Sequence, residues 1–366
     1  MNGLFDGFTP SSREEWITLA AKELRGQDPA ALDWPQDAAW KMPPIVFPEE
    51  TPGQLVSGRH DNNWWIGESF SMDKPEDANA AVLQALQNGV QSPAITFQKR
   101  PSQKTWKTLL KGIELSYIFP TVHFPEMAAP AWLKSFLDLL PTDASWTGPL
   151  YLPSKALTGK NLKDWLALRS EKAPQLRLIQ IDVDPDASGP SGVTKALAKS
   201  LSEAWQWIQR LEDEGLTDAG VFHFNLSVGN TYLLEIAKVR AWRLLWRNLL
   251  QAAGWNAAPA WISARPAGTA LTDDSHQNMI RLTAMAMSAV IGGIDRLELP
   301  PCDLENELFG RRISRNIQHI LQLESHLDWV ADPAAGSYYL ETLTQKLAQE
   351  AWAAAGNSVA LSKSKQ

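Results

Sequence analysis

Residues 219–250, AGVFHFNLSVGNTYLLEIAKVRAWRLLWRNLL, constrain the fold more than any other stretch, because a strand pattern passes there into a long helix across only Ser227-Val228-Gly229-Asn230. Phe222, Phe224 and Leu226 alternate with His223, Asn225 and Ser227 at the period of a strand, and Leu233, Ile236, Ala237, Leu244 and Leu245 then recur at helical spacing. Asn230-Thr231 offers the polar cap that a first helical turn needs for its unpaired N–H groups. The same unit repeats along the chain. Strand patterns occur at 64–70, 94–97, 113–119, 148–152, 176–183, 220–228, 260–265 and 296–299, followed in turn by helix patterns at 75–87, 103–110, 131–139, 162–171, 193–214, 231–252, 275–291 and 305–324. Eight strand–helix pairs predict an α/β fold, a (β/α)8 TIM barrel. An open doubly wound sheet would carry a glycine-rich turn after its first strand, and none is present.

The barrel is expected over 61–330, preceded by an N-terminal extended arm, 1–60, and followed by a C-terminal helix at 339–355 within 331–366. In the arm, Ser12 and Glu15 have the spacing of a capping box ahead of Trp16, Leu19 and Leu24. Beyond it a Pro- and Trp-rich segment has no periodicity, so Trp34, Trp40, Ile45 and Phe47 need another surface, either the barrel's outside or a partner subunit. A net charge of −7 argues against a nucleic-acid partner, which would require a basic face. No long apolar run, signal peptide or lipidation motif is present, which predicts a cytoplasmic protein without membrane contact. The single cysteine, Cys302, excludes an intramolecular disulfide and a cysteine-rich metal site. The 17 Trp are spread along helices and strands and are read as packing.

Glu235-Ile-Ala-Lys-Val-Arg-Ala-Trp-Arg-Leu-Leu-Trp246 resembles the helix after the sixth strand in methylmalonyl-CoA mutases. Asn278-Met-Ile-Arg-Leu-Thr283 with Gly292-Gly293, and Ile313-Ser-Arg-Asn-Ile-Gln318 leading to Asp332-Pro-Ala-Ala-Gly-Ser-Tyr-Tyr-Leu-Glu341, are similar to further stretches of that family. The resemblance implies an acyl-CoA-binding barrel accompanied by a separate cobalamin-binding domain with an Asp-x-His-x-x-Gly motif. That domain is not found in this sequence; Asp274-Ser-His276-Gln-Asn-Met279 comes nearest, with Met where Gly is required and a helix cap as its simpler reading.

Three positions implied by the resemblance are degenerate. The family's histidine after the fifth strand falls near Pro185, which cannot donate a hydrogen bond. Its carboxylate-binding arginine on the sixth strand falls at Val221, and its first-strand tyrosine near Trp65. No catalytic, cofactor-binding or metal-binding residue is therefore assigned. The resemblance implies the non-catalytic small subunit of a heterodimeric mutase, with adenosylcobalamin in the partner large subunit and an interface inherited from a homodimer. An alternative is a catalytic acyl-CoA mutase barrel whose cobalamin domain is another chain. A third reading, an unrelated metal-assisted lyase, would draw on His123, Asp182, Asp184 and Asp186, which are more simply turn and cap residues.

Arg240, Arg243 and Arg247 form a stripe expected to be solvated or to meet partner carboxylates. Gly229-Asn230 and Gly292-Gly293 fit tight turns, and Ser337-Tyr338-Tyr339 a structural motif. One parity of several strands is polar: Glu114 and Ser116, Gln180 and Asp182, His223, Asn225 and Ser227, Ser263 and Arg265, Arg296 and Glu298. This set is expected to face the lumen, with Arg265 and Arg296 paired to carboxylates among Glu114, Asp182 and Glu298 so that the axis is closed.

Overall fold

The computed structural model describes residues 7, 12–34, 40–51, 59–124, 129–138, 148–152, 154–183 and 189–363. After helix α1 (Arg13–Glu23), the barrel runs β1 (Trp65–Met72), α2 (Pro75–Gln87), β2 (Ser92–Phe97), α3 (Gln103–Leu109), β3 (Thr121–His123), α4 (Pro130–Leu137), β4 (Leu150–Tyr151), α5 (Lys160–Lys172) and β5 (Ile179–Val183). It continues through α6 (Gly189–Asp213), β6 (Phe222–Val228), α7 (Tyr232–Ala253), β7 (Ile262–Pro266), α8 (Ser275–Gly292), β8 (Arg296–Glu298) and α9 (Glu307–His319), and α10 (Tyr338–Lys363) follows.

The strands lie in the order β4-β3-β2-β1-β8-β7-β6-β5 and every neighbouring pair is parallel. The two ends meet through a parallel bridge between Pro149 and Arg177, where the Leu150 N–H donates to the Arg177 carbonyl at 2.9 Å. The expected (β/α)8 barrel is therefore what forms.

Strand β6 shows why its side chains face as they do. Phe222 and Phe224 turn outward onto Trp246 of α7, with ring centroids 5.1 and 4.8 Å away, and Phe224 also meets Trp242 at 5.1 Å. His223, Asn225 and Ser227 consequently point to the axis, and all seven residues of the strand are buried. Its register aligns Asp182 with Asn225 and Asn225 with Ser263, so the polar parity of three strands converges at one level.

The third strand departs from the expectation. Residues 113–119 hold a short 3-10 turn, Leu115–Tyr117, and β3 begins two residues beyond them. Their alternation served another purpose: Ile113 packs on the Phe70–Val82 cluster beneath α2, while Glu114 and Ser116 are exposed and Tyr117 is 81% exposed. Glu114 thus lies off the axis.

The capping box at α1 forms, with the Glu15 N–H donating to Ser12 Oγ and the Ser12 N–H to Glu15 Oε2. In the arm, Trp34 and Met42 form an antiparallel bridge. Met42 and Val46 join the main core, Trp34 and Trp40 pack against it half-buried, and Ile45 stays exposed. Helix α10 lies across α6 and α7 with Leu343, Leu347 and Ala351 fully buried. No helix of the described residues is long and apolar enough to cross a membrane.

Candidate functional site

Barrel sites are built where the strands end, at the C-terminal face. Here the lumen below that face is filled in layers. At the bottom, Trp65 at the start of β1 stacks on Phe119 with centroids 5.3 Å apart, and Phe119 stacks on Trp261 at 5.2 Å. The Arg177 guanidinium lies 5.1 Å from the Trp261 ring centroid and 5.9 Å from that of Phe119. These four residues sit at the entrances of β1, β3, β5 and β7, the alternate-strand pattern by which such barrels fill their axis.

Above this floor lies Arg296, 2% exposed. Its Nε donates to Ser92 Oγ at 2.8 Å, Nη1 to Ser263 Oγ at 3.3 Å, and Nη2 to the Ser92 carbonyl at 3.2 Å and to Glu298 Oε2 at 2.7 Å. His223 lies nearby with Nε2 3.0 Å from the Leu150 carbonyl. A carbonyl only accepts, so Nε2 carries the hydrogen. Burial pushes the His223 pKa down to about 3, against the hydrogen bond to Leu150, with Arg177 and His123 adding to the depression.

The upper lumen is a blind cup of about 300 Å³, with Arg296 and Glu298 at its base. His123 and Tyr151 form one wall as a stacked pair 3.9 Å apart. Burial holds His123 at about 4, with Glu298 opposing and Arg296 and Arg265 adding to the shift, so it is a neutral imidazole. Asn225 and Gln180 form the other wall, their amides donating to Asp182 at 2.8 and 2.7 Å. Arg265 and Glu203 complete the lining, Arg265 with its side chain exposed.

The expected lumen network forms in part. Arg296 pairs with Glu298, whereas Arg265 has no carboxylate partner among the described residues, and Asp182 is held by amides rather than by an arginine. Trp65 is a floor residue at the far end from the mouth. Val221 is fully buried in the turn that enters β6, its carbonyl accepting the Leu178 N–H at 2.8 Å. Pro185, Asp184 and Asp186 lie outside the described residues. Of the metal candidates, His123 and Asp182 both line the cup, but no cluster of three metal-ligating side chains forms among the described residues.

Asp274 caps α8 through the His276 and Gln277 N–H groups, and the His276 side chain is 88% exposed in the first helical turn. That arrangement does not fit a lower axial ligand offered from a loop to a corrin. The arginine stripe needs correction: it is neither solvated nor left for a partner at two of its three members. Arg240 pairs with Asp332 and with Glu341, and Arg243 with Asp295 and the Gly293 and Ala260 carbonyls, all within the chain. Spacing alone marks a stripe, and it cannot distinguish water from the loop and helix that return to cover it.

Gly293 ends α8 in the left-handed region at φ 89°, and a Cβ on Gly292 would stand 2.8 Å from Val239 Cβ, so this pair permits the α7–α8 approach. Gly229 and Asn230 lie in the short β6–α7 connection, and the Ser337 carbonyl accepts the Glu341 N–H at the start of α10. Sequence reasoning missed Trp261, Phe119 and Tyr151. Trp261 could have been found, since it shares the parity of Ser263 and Arg265.

The family model described as methylmalonyl-CoA mutase matches residues 148–357. A methylmalonyl-CoA mutase small subunit from Porphyromonas gingivalis is 28% identical over 95% of this chain and 63% of its own length. The small subunit from Streptomyces virginiae is 31% identical over 87% of this chain and 55% of its own, and a methylmalonyl-CoA mutase from Rhizobium meliloti is 31% identical over 94% and 57%. The chain thus spans somewhat over half the length of these relatives. With the family model covering more than half of it, the chain belongs to the methylmalonyl-CoA mutase family.

Proposed function

We propose that the chain acts as a non-catalytic small subunit of a heterodimeric, cobalamin-dependent methylmalonyl-CoA mutase, supporting a large subunit that interconverts methylmalonyl-CoA and succinyl-CoA. The observation that carries this reading is the blind lumen. A thioester threaded along a barrel axis needs a continuous path, and the Trp65–Phe119–Trp261 stack with the Arg296–Glu298 pair fills that path. The remaining cup, about 300 Å³, lies at the lower end of the range for small-molecule sites and is short for an acyl-CoA. The apolar, buried Val221 adds support, because a substrate carboxylate without a cation there would cost several kcal/mol. In this reading adenosylcobalamin belongs to the large subunit, in keeping with the poor fit of His276.

The test is co-expression with the large subunit from the same source. The two chains should co-purify as a heterodimer with mutase activity, while this chain with adenosylcobalamin and methylmalonyl-CoA alone should neither turn over nor shift the cobalamin spectrum. Turnover by this chain together with a cobalamin carrier that has no barrel of its own would overturn the proposal in favour of a catalytic barrel.

A further inference from the structure

The cup at the barrel mouth holds charges that its own side chains do not balance. Arg296 and Glu298 neutralise each other at the base. Arg265 on β7 reaches the cup with no hydrogen bond or ion pair to any acceptor among the described residues. Asp182 on β5 receives amide N–H groups from Gln180 and Asn225 but no cation. Glu203 from α6 faces the same space; burial and the neighbouring Asp182 push its carboxyl up, and Lys199, one turn earlier on α6, opposes them. The cup thus presents a guanidinium without an ion pair on one side and, on the other, Asp182 without a cation beside a Glu203 that only Lys199 partly offsets.

Their separation is set by the sheet. Asp182, Asn225 and Ser263 are in register on three neighbouring strands, and Arg265 is the next inward position above Ser263. Two strand spacings across the sheet and two residues along β7 put the Asp182 and Arg265 backbones roughly 12 Å apart. Both side chains extend into the gap, so a few bonds of ligand bridge it. The volume, about 300 Å³, lies at the lower end of the range for small-molecule sites, which limits the occupant to a compact molecule.

We infer that this cup binds a small zwitterion, an amino acid with a short spacer, whose carboxylate meets Arg265 and whose ammonium meets Asp182 and Glu203. A guanidinium takes a carboxylate through paired, charge-assisted hydrogen bonds, and the ammonium supplies the missing cation between two acids. A plain carboxylate would leave Asp182 and Glu203 unrelieved, and a plain amine would leave Arg265 unmatched. This inference goes beyond the proposed subunit role and does not depend on it.

The experiment is calorimetric titration of the full chain with glycine and γ-aminobutyrate, and with butyrate and butylamine as single-charge controls, backed by NMR of the His123 ring. At least one zwitterion should bind tenfold or more tightly than either control and shift the His123 resonances. Arg265→Gln and Asp182→Asn should each weaken that binding at least tenfold while leaving the circular dichroism unchanged; Glu203→Gln serves if Asp182→Asn misfolds. Absence of zwitterion binding, butyrate binding as tightly as γ-aminobutyrate, or binding unaffected by Arg265→Gln would each overturn the inference.

Discussion

Gly67 and Arg296 are fitted to each other between the neighbouring strands β1 and β8: a Cβ built on Gly67 would stand 2.7 Å from both Cζ and Nη2 of Arg296, and 2.9 Å from the Leu297 carbonyl oxygen. The inward position on β1 is empty of side chain, and the guanidinium of β8 fills it on its way to Ser92 of β2. Gly67→Ala should therefore act as overpacking and cost about 1–3 kcal/mol, read as a lower urea midpoint at unchanged slope. A neutral result would mean that Arg296 has room to move aside.

Much of this architecture was legible beforehand, and the failures have physical causes. Helix α2, Pro75–Gln87, coincides with its expected range because Pro75 fixes the first turn and the apolar spacing runs uninterrupted. The parity of β6 was legible because Phe222 and Phe224 alternate with polar residues without a break. Strand β3 was misplaced because a three-residue strand carries too little alternation to outweigh the longer pattern of residues 113–119. Within the site, the Arg296–Glu298 pair followed from parity, but Ser92 and Tyr151 did not. They meet Arg296 and the cup only through strand register, which a single sequence does not encode locally.

Arg240 joins α7 to the segment behind it, pairing with Asp332 and with Glu341, whose side chain is fully buried. Arg240→Met should destabilise the chain by about 3–5 kcal/mol, because the mutation takes the Arg240 cation away from the fully buried Glu341 and the half-buried Asp332. Hydrogen exchange should locate the loss in α10 and its contacts with α7. A solvated arginine would give an effect within about 0.5 kcal/mol.

The neutral His223 makes stability depend on acid. Its folded pKa, about 3, lies below the ordinary value of 6.5, so below pH 6.5 the unfolded chain takes up a proton that the folded chain refuses. Stability should therefore be unaffected by this group above pH 6.5 and should fall as pH drops through the window beneath it, by up to about 1.4 kcal/mol per pH unit for this one site. Urea unfolding at pH 7, 6 and 5 reads the slope. His223→Gln should lower stability at pH 7 yet make the fall between pH 6.5 and 5 shallower, leaving the share that comes from His123, held at about 4. An unchanged slope in that variant would assign the acid sensitivity elsewhere.

Glu298 offers the converse. Burial alone would push its carboxyl up, but the adjacent Arg296, helped by His123 and by hydrogen bonds from Arg296 and Ser69, holds it below the ordinary carboxylate value. Arg296→Met keeps most of the side-chain volume and removes the cation, so burial prevails and the folded pKa of Glu298 should rise above its unfolded value. A raised folded pKa means that the variant's loss is partly relieved where Glu298 is protonated and grows as pH rises through that pKa. Removal of one partner from a buried ion pair costs about 3–5 kcal/mol when the other remains charged, so the full penalty should appear at pH 8. Measured as the difference from the parent chain at each pH, the destabilisation should be smaller at pH 5 than at pH 8. Arg296→Met combined with Glu298→Gln should remove that pH dependence, since no charge is left to strand. A penalty equal at both pH values would show that Arg296 serves the lumen by filling space and donating to Ser92 and Ser263, with its charge immaterial to Glu298.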